Sequence, residues 1–179
     1  VDSLQGKYTT AEDVGVGVDD VVQMRKDTEY IAGLPTELGG SGDPSPFTAY
    51  GVFCGIQASV AHQANLPYDE HRDLSGLSVI VQGLGNVGFA LCKHLHSVGA
   101  KLFVCDPRED RVREALEAFS AQPVAIQNVY QTEADVYAPC ALGATLNSQT
   151  LPQLRCRIVA GGANNQLEHP EIERQLPRR

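Results

Sequence analysis

The sequence has little of several residue types that mark particular classes of protein. Its 179 residues contain no tryptophan, and no run of about 18 apolar residues occurs that could cross a membrane. Basic residues are few, since 14 lysines and arginines stand against 22 acids and give a net charge of −8. This balance argues against a nucleic-acid interface, which needs clustered cations to replace the counterions of phosphates. The N-terminus lacks a signal-peptide pattern, so we expect a cytoplasmic protein with no membrane partner.

Familiar metal and nucleophile motifs are missing as well. The five cysteines form no Cys-x-x-Cys pair, which argues against a zinc ribbon or a thioredoxin-like site. Neither a His-Glu-x-x-His nor a Gly-x-Ser-x-Gly segment occurs, and the five histidines follow no pattern. We therefore expect no metal site and reduced, mostly buried thiols.

The composition is that of a globular chain, divided by one glycine-rich segment. Hydrophobic residues make up 42% of the chain and charged residues 20%. Residues 1–43 carry nine acids and three bases, whereas residues 44–179 are nearly balanced. The change falls at Gly39–Pro44, which has the composition of a loop. We predict a hinge there, with one domain over 1–43 and a second over 44–179.

Beyond the hinge, the spacing of apolar residues alternates between strand and helix periods. Strands are predicted at 77–81, 102–105, 123–126, 135–138 and 157–160. Helices are predicted at 45–62, 86–98 and 107–119, with weaker ones at 147–154 and 166–176. This order predicts an α/β fold with a doubly wound parallel sheet and helices on both faces. Residues 1–43 fit a different layout, with a strand near 7–10 and a helix near 18–27.

A Gly-x-Gly-x-x-Gly motif at 83–88 lies between a predicted strand and a predicted helix. Gly83 would make the tight turn, Gly85 would let a pyrophosphate approach the backbone, and Gly88 would let the helix pack closely. The helix N-terminus, at Asn86 and Val87, would offer N–H groups to the phosphates. The motif therefore predicts dinucleotide binding, and a packing turn without a ligand is the alternative.

Asp106 follows the second predicted strand, 23 residues after Gly83. A carboxylate at this place accepts hydrogen bonds from ribose hydroxyls and repels a 2′-phosphate, which favours NAD over NADP. Arg108 argues the other way, because a guanidinium can pair with a 2′-phosphate. Asp106 could also be the N-cap of the helix that is predicted to begin at Pro107, and this role is compatible with ribose binding.

Two loops after later strands, at 138–143 and 160–165, are further candidates, because ligands bind at the carboxyl ends of parallel strands. Asn164 and Asn165 can both donate and accept hydrogen bonds, although asparagine is also an ordinary turn residue. Asp13, which lies shortly before Gly15 and Gly17, is either a catalytic carboxylate or a turn residue.

Taken together, the chain resembles the glutamate, leucine, phenylalanine and valine dehydrogenase family, and most of all its leucine dehydrogenase branch. The resemblance covers nearly the whole chain. It implies a Rossmann-type NAD-binding domain over 44–179, preceded by the end of a separate α/β substrate domain. It rests on ThrAlaGluAspVal at 10–14, SerGlyAspProSerProPheThrAlaTyrGly at 41–51, GlyLeuGlyAsnValGly at 83–88, LeuCysLysHisLeuHis at 91–96, AlaProCysAlaLeuGlyAla at 138–144 and AlaAsnAsnGlnLeu at 163–167.

The resemblance implies a homo-oligomeric enzyme that converts leucine or another branched-chain L-amino acid to the 2-oxo acid and ammonia, with NAD as cofactor. Asp13 would then be the catalytic proton carrier. Ala11 would line the substrate pocket, and Thr48 would help to hold the nicotinamide amide. Three further positions would contact the cofactor: Ala141, Asn164 and Asn165.

The chain departs from the family in its lysines. The family carries two functional lysines upstream of the aspartate, one of them in a GGGK segment. The lysines here are Lys7, Lys26, Lys93 and Lys101, and none lies in such a segment. We therefore expect a shortened family member that binds NAD but is inactive by itself. A non-catalytic dinucleotide-binding module is the alternative, and phenylalanine, valine or tryptophan could replace leucine as the substrate.

Overall fold

The computed structural model describes residues 1–13 and 15–176, and two compact units divide between Ser45 and Pro46. Which domain each unit represents stays a prediction, and residues 177–179 of the predicted second domain lie outside the described residues. Within the described ranges, no helix combines the length and apolar character needed to span a membrane. All five cysteines are free thiols, two of them buried and three half-buried.

In its described residues, the first unit contains one α-helix, α1 (Val18–Met24), and a small apolar cluster around Val21, Ile31 and Leu34. The predicted strand at 7–10 is wrong, because only Thr10 forms a bridge, with Ile31, while residues 7–9 are exposed. The predicted helix at 18–27 ends early, since the polar residues that follow α1 form a turn. Short 3₁₀ helices span Asp2–Leu4 and Thr36–Leu38.

The second unit is built on a parallel sheet of five strands in the order β3-β2-β1-β4-β5. This is the doubly wound order of a Rossmann-type sheet, so the predicted fold class is confirmed. The order reverses at β1, which makes the carboxyl edge between β1 and β4 the topological switch point. The strands are β1 (Ser78–Gln82), β2 (Lys101–Cys105), β3 (Gln122–Pro123), β4 (Val136–Pro139) and β5 (Ile158–Val159).

Three α-helices pack on one face of this sheet: α2 (Ser45–Gln63), α3 (Asn86–Ser97) and α4 (Glu109–Phe119). Their apolar side chains meet Val79 and Val81 of β1 in the main core. The helix predicted from residue 107 begins two residues later, with Arg108 as its N-cap, so Asp106 is not the cap residue.

The other face of the sheet differs from the prediction, because the described segments that cover it are loops and 3₁₀ turns instead of α-helices. Ile80 and Tyr137 pack there against Val129 and Leu146. The helix observed within 147–154 is shorter than predicted. Asn147 Oδ1 accepts hydrogen bonds from the N–H groups of residues 149 and 150, and Pro152 has no N–H group to donate. The observed 3₁₀ segments of the second unit are Ile126–Asn128, Leu151–Gln153 and Pro170–Gln175.

Candidate functional site

The turn after β1 packs directly against the loop after β4. The Gly83 N–H donates to the Cys105 carbonyl at 2.8 Å, and the Cys140 N–H donates to the Gln82 carbonyl at 2.8 Å. Gly83 has φ +95°, and a Cβ atom on it would lie 2.8 Å from the Ala141 nitrogen. Both the backbone conformation and the packing therefore require glycine at 83. The same contact brings Ala141 next to the glycine loop.

The other two glycines of the motif have different surroundings. A Cβ atom on Gly88 would collide with the carbonyl oxygen of Gly83, so glycine at 88 lets α3 lie close to the turn. A Cβ atom on Gly85 would meet no atom within 4 Å, and the φ of Gly85 is −68°, which any residue adopts. The described residues give no packing or conformational reason for glycine at 85. A ligand that approaches this backbone supplies one, so the loop fits a bound pyrophosphate.

The first turn of α3 offers hydrogen-bond donors at the same place. Helix N-termini leave N–H groups without partners inside the helix and carry the positive end of its dipole. Among the described residues, none accepts a hydrogen bond from the N–H groups of 85–88. Asn86 is exposed and Val87 is half-buried, so this turn can receive an anionic group.

The Asp106 carboxylate joins the glycine loop to the turn after β2. Its Oδ2 accepts the Leu84 N–H at 2.7 Å, and its Oδ1 accepts the Arg108 N–H at 2.9 Å. The Arg108 guanidinium lies 3.1 Å from Oδ1 and is 54% exposed, whereas the Asp106 side chain is 5% exposed. Burial by itself would raise the pKa of Asp106, but the hydrogen bonds from Arg108 and Leu84 outweigh it and lower the pKa. Hydrogen bonds therefore fix the Asp106 carboxylate in place directly after the C-terminal end of β2.

A cavity of about 610 Å³ opens between α2 and the loop after β5. It brings together two of the predicted residues, Thr48 and Asn164. Gly162 of this lining runs close to the first turn of α3, because a Cβ atom on it would lie 2.9 Å from Val87 Cγ1. The glycine loop and the cavity are thus neighbours. The remaining lining is mostly small: Gly51, Val52, Gly55, Val159, Ala160, Gly161, Gly162, Ala163 and Gln166.

Asn165 has structural contacts that set it apart from Asn164. Its carboxamide occupies the space that a side chain at Gly143 would need, and its carbonyl accepts the Ala144 N–H at 2.8 Å. The residue therefore holds the loop that follows β4. Its predicted contact with a cofactor stays a prediction.

The two predicted substrate-side residues, Ala11 and Asp13, are exposed residues of the first unit. The Asp13 N–H donates to the Val16 carbonyl at 3.3 Å, and the Val16 N–H returns a bond of 2.9 Å to the Asp13 carbonyl. The backbone of Asp13 is thus paired with that of Val16. Beside it, burial and then the charge of Asp43 raise the pKa of Glu12 above its ordinary value.

Sequence reasoning missed Arg111 of α4, whose Nε donates to the Leu84 carbonyl at 3.1 Å. Its only sequence signal is its place in the first turn of the helix after Asp106. The cysteine at the site, Cys140, is unsuited to act as a nucleophile, because burial raises the pKa of its thiol to about 11. In the part of the chain that the structure describes, no three His, Cys, Asp or Glu side chains converge as a metal site.

Comparison with known proteins relates this chain to amino-acid dehydrogenases. The chain is 46% identical to leucine dehydrogenase from Bacillus cereus over 168 residues, which are 94% of the chain and 44% of that protein. It is 42% identical to L-tryptophan dehydrogenase from Nostoc punctiforme over 176 residues, 98% of the chain and 48% of that protein. The chain thus spans about half the length of these relatives. No protein-family model matches it.

Solved structures agree with these sequence relatives. The crystal structure of L-tryptophan dehydrogenase from Nostoc punctiforme matches with a TM-score of 0.74 at 40% identity, covering 98% of this chain and 48% of that one. The hetero-hexameric glutamate dehydrogenase from Thermus thermophilus matches with a TM-score of 0.68 at 26% identity, covering 94% of this chain and 44% of that one. The motifs, the strand order and the relatives agree, and the chain belongs to the glutamate, leucine, phenylalanine and valine dehydrogenase family.

Proposed function

We propose that this chain forms the NAD-binding part of an enzyme that oxidatively deaminates leucine or another branched-chain L-amino acid. The observation that carries the proposal is Gly85, whose missing side chain opens the backbone at the first turn of α3. The relatives that carry the names of leucine and tryptophan dehydrogenases support the reaction class. Because the chain spans about half of their length, the substrate and a homo-oligomeric assembly are inferences from the family.

The residues of the second unit have separate tasks in this proposal. The N–H groups at the start of α3 bind the pyrophosphate, and Asp106 accepts hydrogen bonds from the adenosine ribose. Thr48 helps to hold the nicotinamide amide, and Ala141, Asn164 and Asn165 are further contacts with the cofactor. When bound, NAD would supply the acceptor for the hydride that leaves the α-carbon of the amino acid.

The first unit supplies the proton chemistry and part of the substrate pocket. Asp13 moves a proton between the amino group of the substrate and the attacking water, because a carboxylate can exchange protons with both. Ala11 lines the side-chain pocket, and its small size leaves room for a branched aliphatic group.

Calorimetric titration of the 179-residue chain with NAD and NADP tests the cofactor assignment. We expect NAD to bind more tightly than NADP, and we expect no reduction of NAD when L-leucine is added, since the family's two lysines have no counterpart here. Absence of NAD binding by the folded chain would contradict the proposal. Leucine-dependent reduction of NAD by the chain alone would contradict its expected inactivity.

A chimaera tests the reaction itself. Residues 1–179 replace the aligned segment of Bacillus cereus leucine dehydrogenase, and reduction of NAD is followed by absorbance with L-leucine, L-valine, L-phenylalanine and L-tryptophan. We expect turnover with the branched-chain substrates. A folded chimaera that binds NAD without turnover of any amino acid would instead favour a non-catalytic dinucleotide-binding module.

A further inference from the structure

The peptide groups on both sides of Leu84 are fixed by charged side chains. The Leu84 N–H donates to Asp106 Oδ2 at 2.7 Å, and the Leu84 carbonyl accepts from Arg111 Nε at 3.1 Å. Leu84 itself is fully buried, so its carbonyl cannot rely on bulk water for a partner. Two ionised groups thus hold the middle of the glycine loop.

Arg111 is in turn held in place by its own neighbours. Its NH1 lies 2.7 Å from Glu114 Oε2, and its guanidinium carbon lies 5.2 Å from the centre of the Phe89 ring. Its side chain is 25% exposed. A guanidinium that stacks on a ring and makes two directed hydrogen bonds has little freedom to turn. The bond to the Leu84 carbonyl is therefore part of a rigid arrangement between α3 and α4.

This bond fixes the direction of a donor at the candidate phosphate site. The Leu84 carbonyl and the Gly85 N–H belong to one planar trans peptide, so they point in opposite directions. Because Arg111 holds the Leu84 carbonyl toward α4, the Gly85 N–H points away from α4. No described residue accepts a hydrogen bond from that N–H.

We propose that Arg111 is a positioning residue that orients the Leu84–Gly85 peptide for binding the pyrophosphate, a role that rests on the proposed NAD site. Arg111 acts from behind the loop, through the Leu84 carbonyl. Arg111 should therefore strengthen the binding of ligands that carry the pyrophosphate. The adenosine end is bound by Asp106 and should not depend on Arg111.

The test compares two ligands on the 179-residue chain, ADP-ribose, which has the pyrophosphate, and adenosine, which lacks it. Arg111→Met keeps an unbranched apolar stem over Phe89 and removes every donor. We expect Arg111→Met to bind ADP-ribose about tenfold more weakly and adenosine unchanged. Arg113→Ala, an exposed arginine of the same helix, is the charge control and should bind both ligands as the original chain does.

A second variant, Arg111→Lys, restores one donor and the charge but lacks the planar fork, so intermediate affinity for ADP-ribose is expected. Unchanged affinity for ADP-ribose in whichever of the two variants folds would overturn the proposal. Equal losses for ADP-ribose and adenosine, together with a lower melting temperature, would also overturn it and show a structural role. If the unsubstituted chain binds neither ligand, the proposed NAD site itself is wrong.

Discussion

The three glycines of the motif at 83–88 differ in the physical reason for glycine at their position. Gly83 is needed for a positive φ and for contact with the loop after β4, and Gly88 is needed so that α3 can approach the turn. Gly85 meets neither condition. Substitutions at 85 and 88 can therefore separate folding from ligand binding.

Gly85→Ala should leave the fold intact and weaken NAD binding. The new methyl group enters open space, and the less favourable N-cap costs at most about 1 kcal/mol. The same methyl group occupies the approach of the pyrophosphate, so we expect at least a tenfold weaker NAD affinity, roughly 1.4 kcal/mol. Gly88→Ala is the matched control and should lower the stability by about 1–3 kcal/mol, since overpacking forces the backbone apart. Thermal melting and calorimetry measure both effects. Unchanged NAD affinity in folded Gly85→Ala would contradict the assignment.

Asp106→Ser should weaken NAD binding and narrow the preference for NAD over NADP. The change removes a charged acceptor for the ribose hydroxyls, each bond being worth about 1.5–3 kcal/mol, and frees Arg108 to pair with a 2′-phosphate. The ratio of the two dissociation constants is the measurement. Asp110→Asn, an exposed acid of α4, is the charge control. If the ratio stays unchanged in Asp106→Ser, the carboxylate only supports the loop.

Part of the candidate site could be predicted because its signal is local. The glycine spacing and Asp106 are tied to a strand end, and their surroundings match the predicted turn. The contacts of Arg111 with the Leu84 carbonyl and of Asn165 with the space beside Gly143 could not be predicted in this way, because the partners come from other segments. Which side chain reaches which backbone group depends on how the elements pack.

At the level of elements, β1 and β4 are joined by a polar contact at their N-terminal ends. Asp135 Oδ2 accepts from the Ser78 N–H at 2.9 Å and from the Ser78 hydroxyl at 2.7 Å. Burial would raise the pKa of Asp135, but these bonds and the charge of Arg157 lower it. The contact fixes the register of the two strands that form the switch point.

Asp135→Asn should therefore lower the stability in a pH-dependent manner. Because the folded state has the lower pKa, the contribution of the charge is fully present above the ordinary value of 3.8 and is lost as the pH falls through the folded value. We expect a loss of about 1–3 kcal/mol in urea unfolding at pH 7, and a smaller difference from the unsubstituted chain in acid. Glu133→Gln, an exposed neighbour, is the control. An equal difference at both pH values would contradict the prediction.

The elements that the sequence predicted well are those with strong internal periodicity. The helices α2 and α3 and the strand β1 lie within one residue of their predicted ends. The segment at 7–10 also looked like a strand, but a strand needs a neighbour, and only Thr10 finds one. The edge strand β3 is short because the chain turns into a 3₁₀ helix at Ile126, although the Val124 N–H still donates to the Val104 carbonyl at 2.9 Å.

For the whole molecule, the proposed function divides the chemistry between the two units. The second unit has the residues that fit a dinucleotide, whereas the one carboxylate assigned to proton transfer, Asp13, belongs to the first. An activity measurement must therefore separate cofactor binding from catalysis. A substitution in the first unit that stops turnover without changing NAD affinity would do so.

Asp13→Asn in the chimaera with Bacillus cereus leucine dehydrogenase is that substitution. Asparagine keeps the size of the side chain but cannot carry a proton near neutral pH, so we expect kcat to fall by about 10²–10⁴-fold. The dissociation constant of NAD should stay the same, because Asp13 is not among the residues proposed to hold the cofactor. Asp19→Asn, an exposed acid of α1, removes the same charge and should leave kcat unchanged. If kcat stays near normal in Asp13→Asn, Asp13 does not carry the proton. Its role would then be structural, through its backbone hydrogen bonds with Val16.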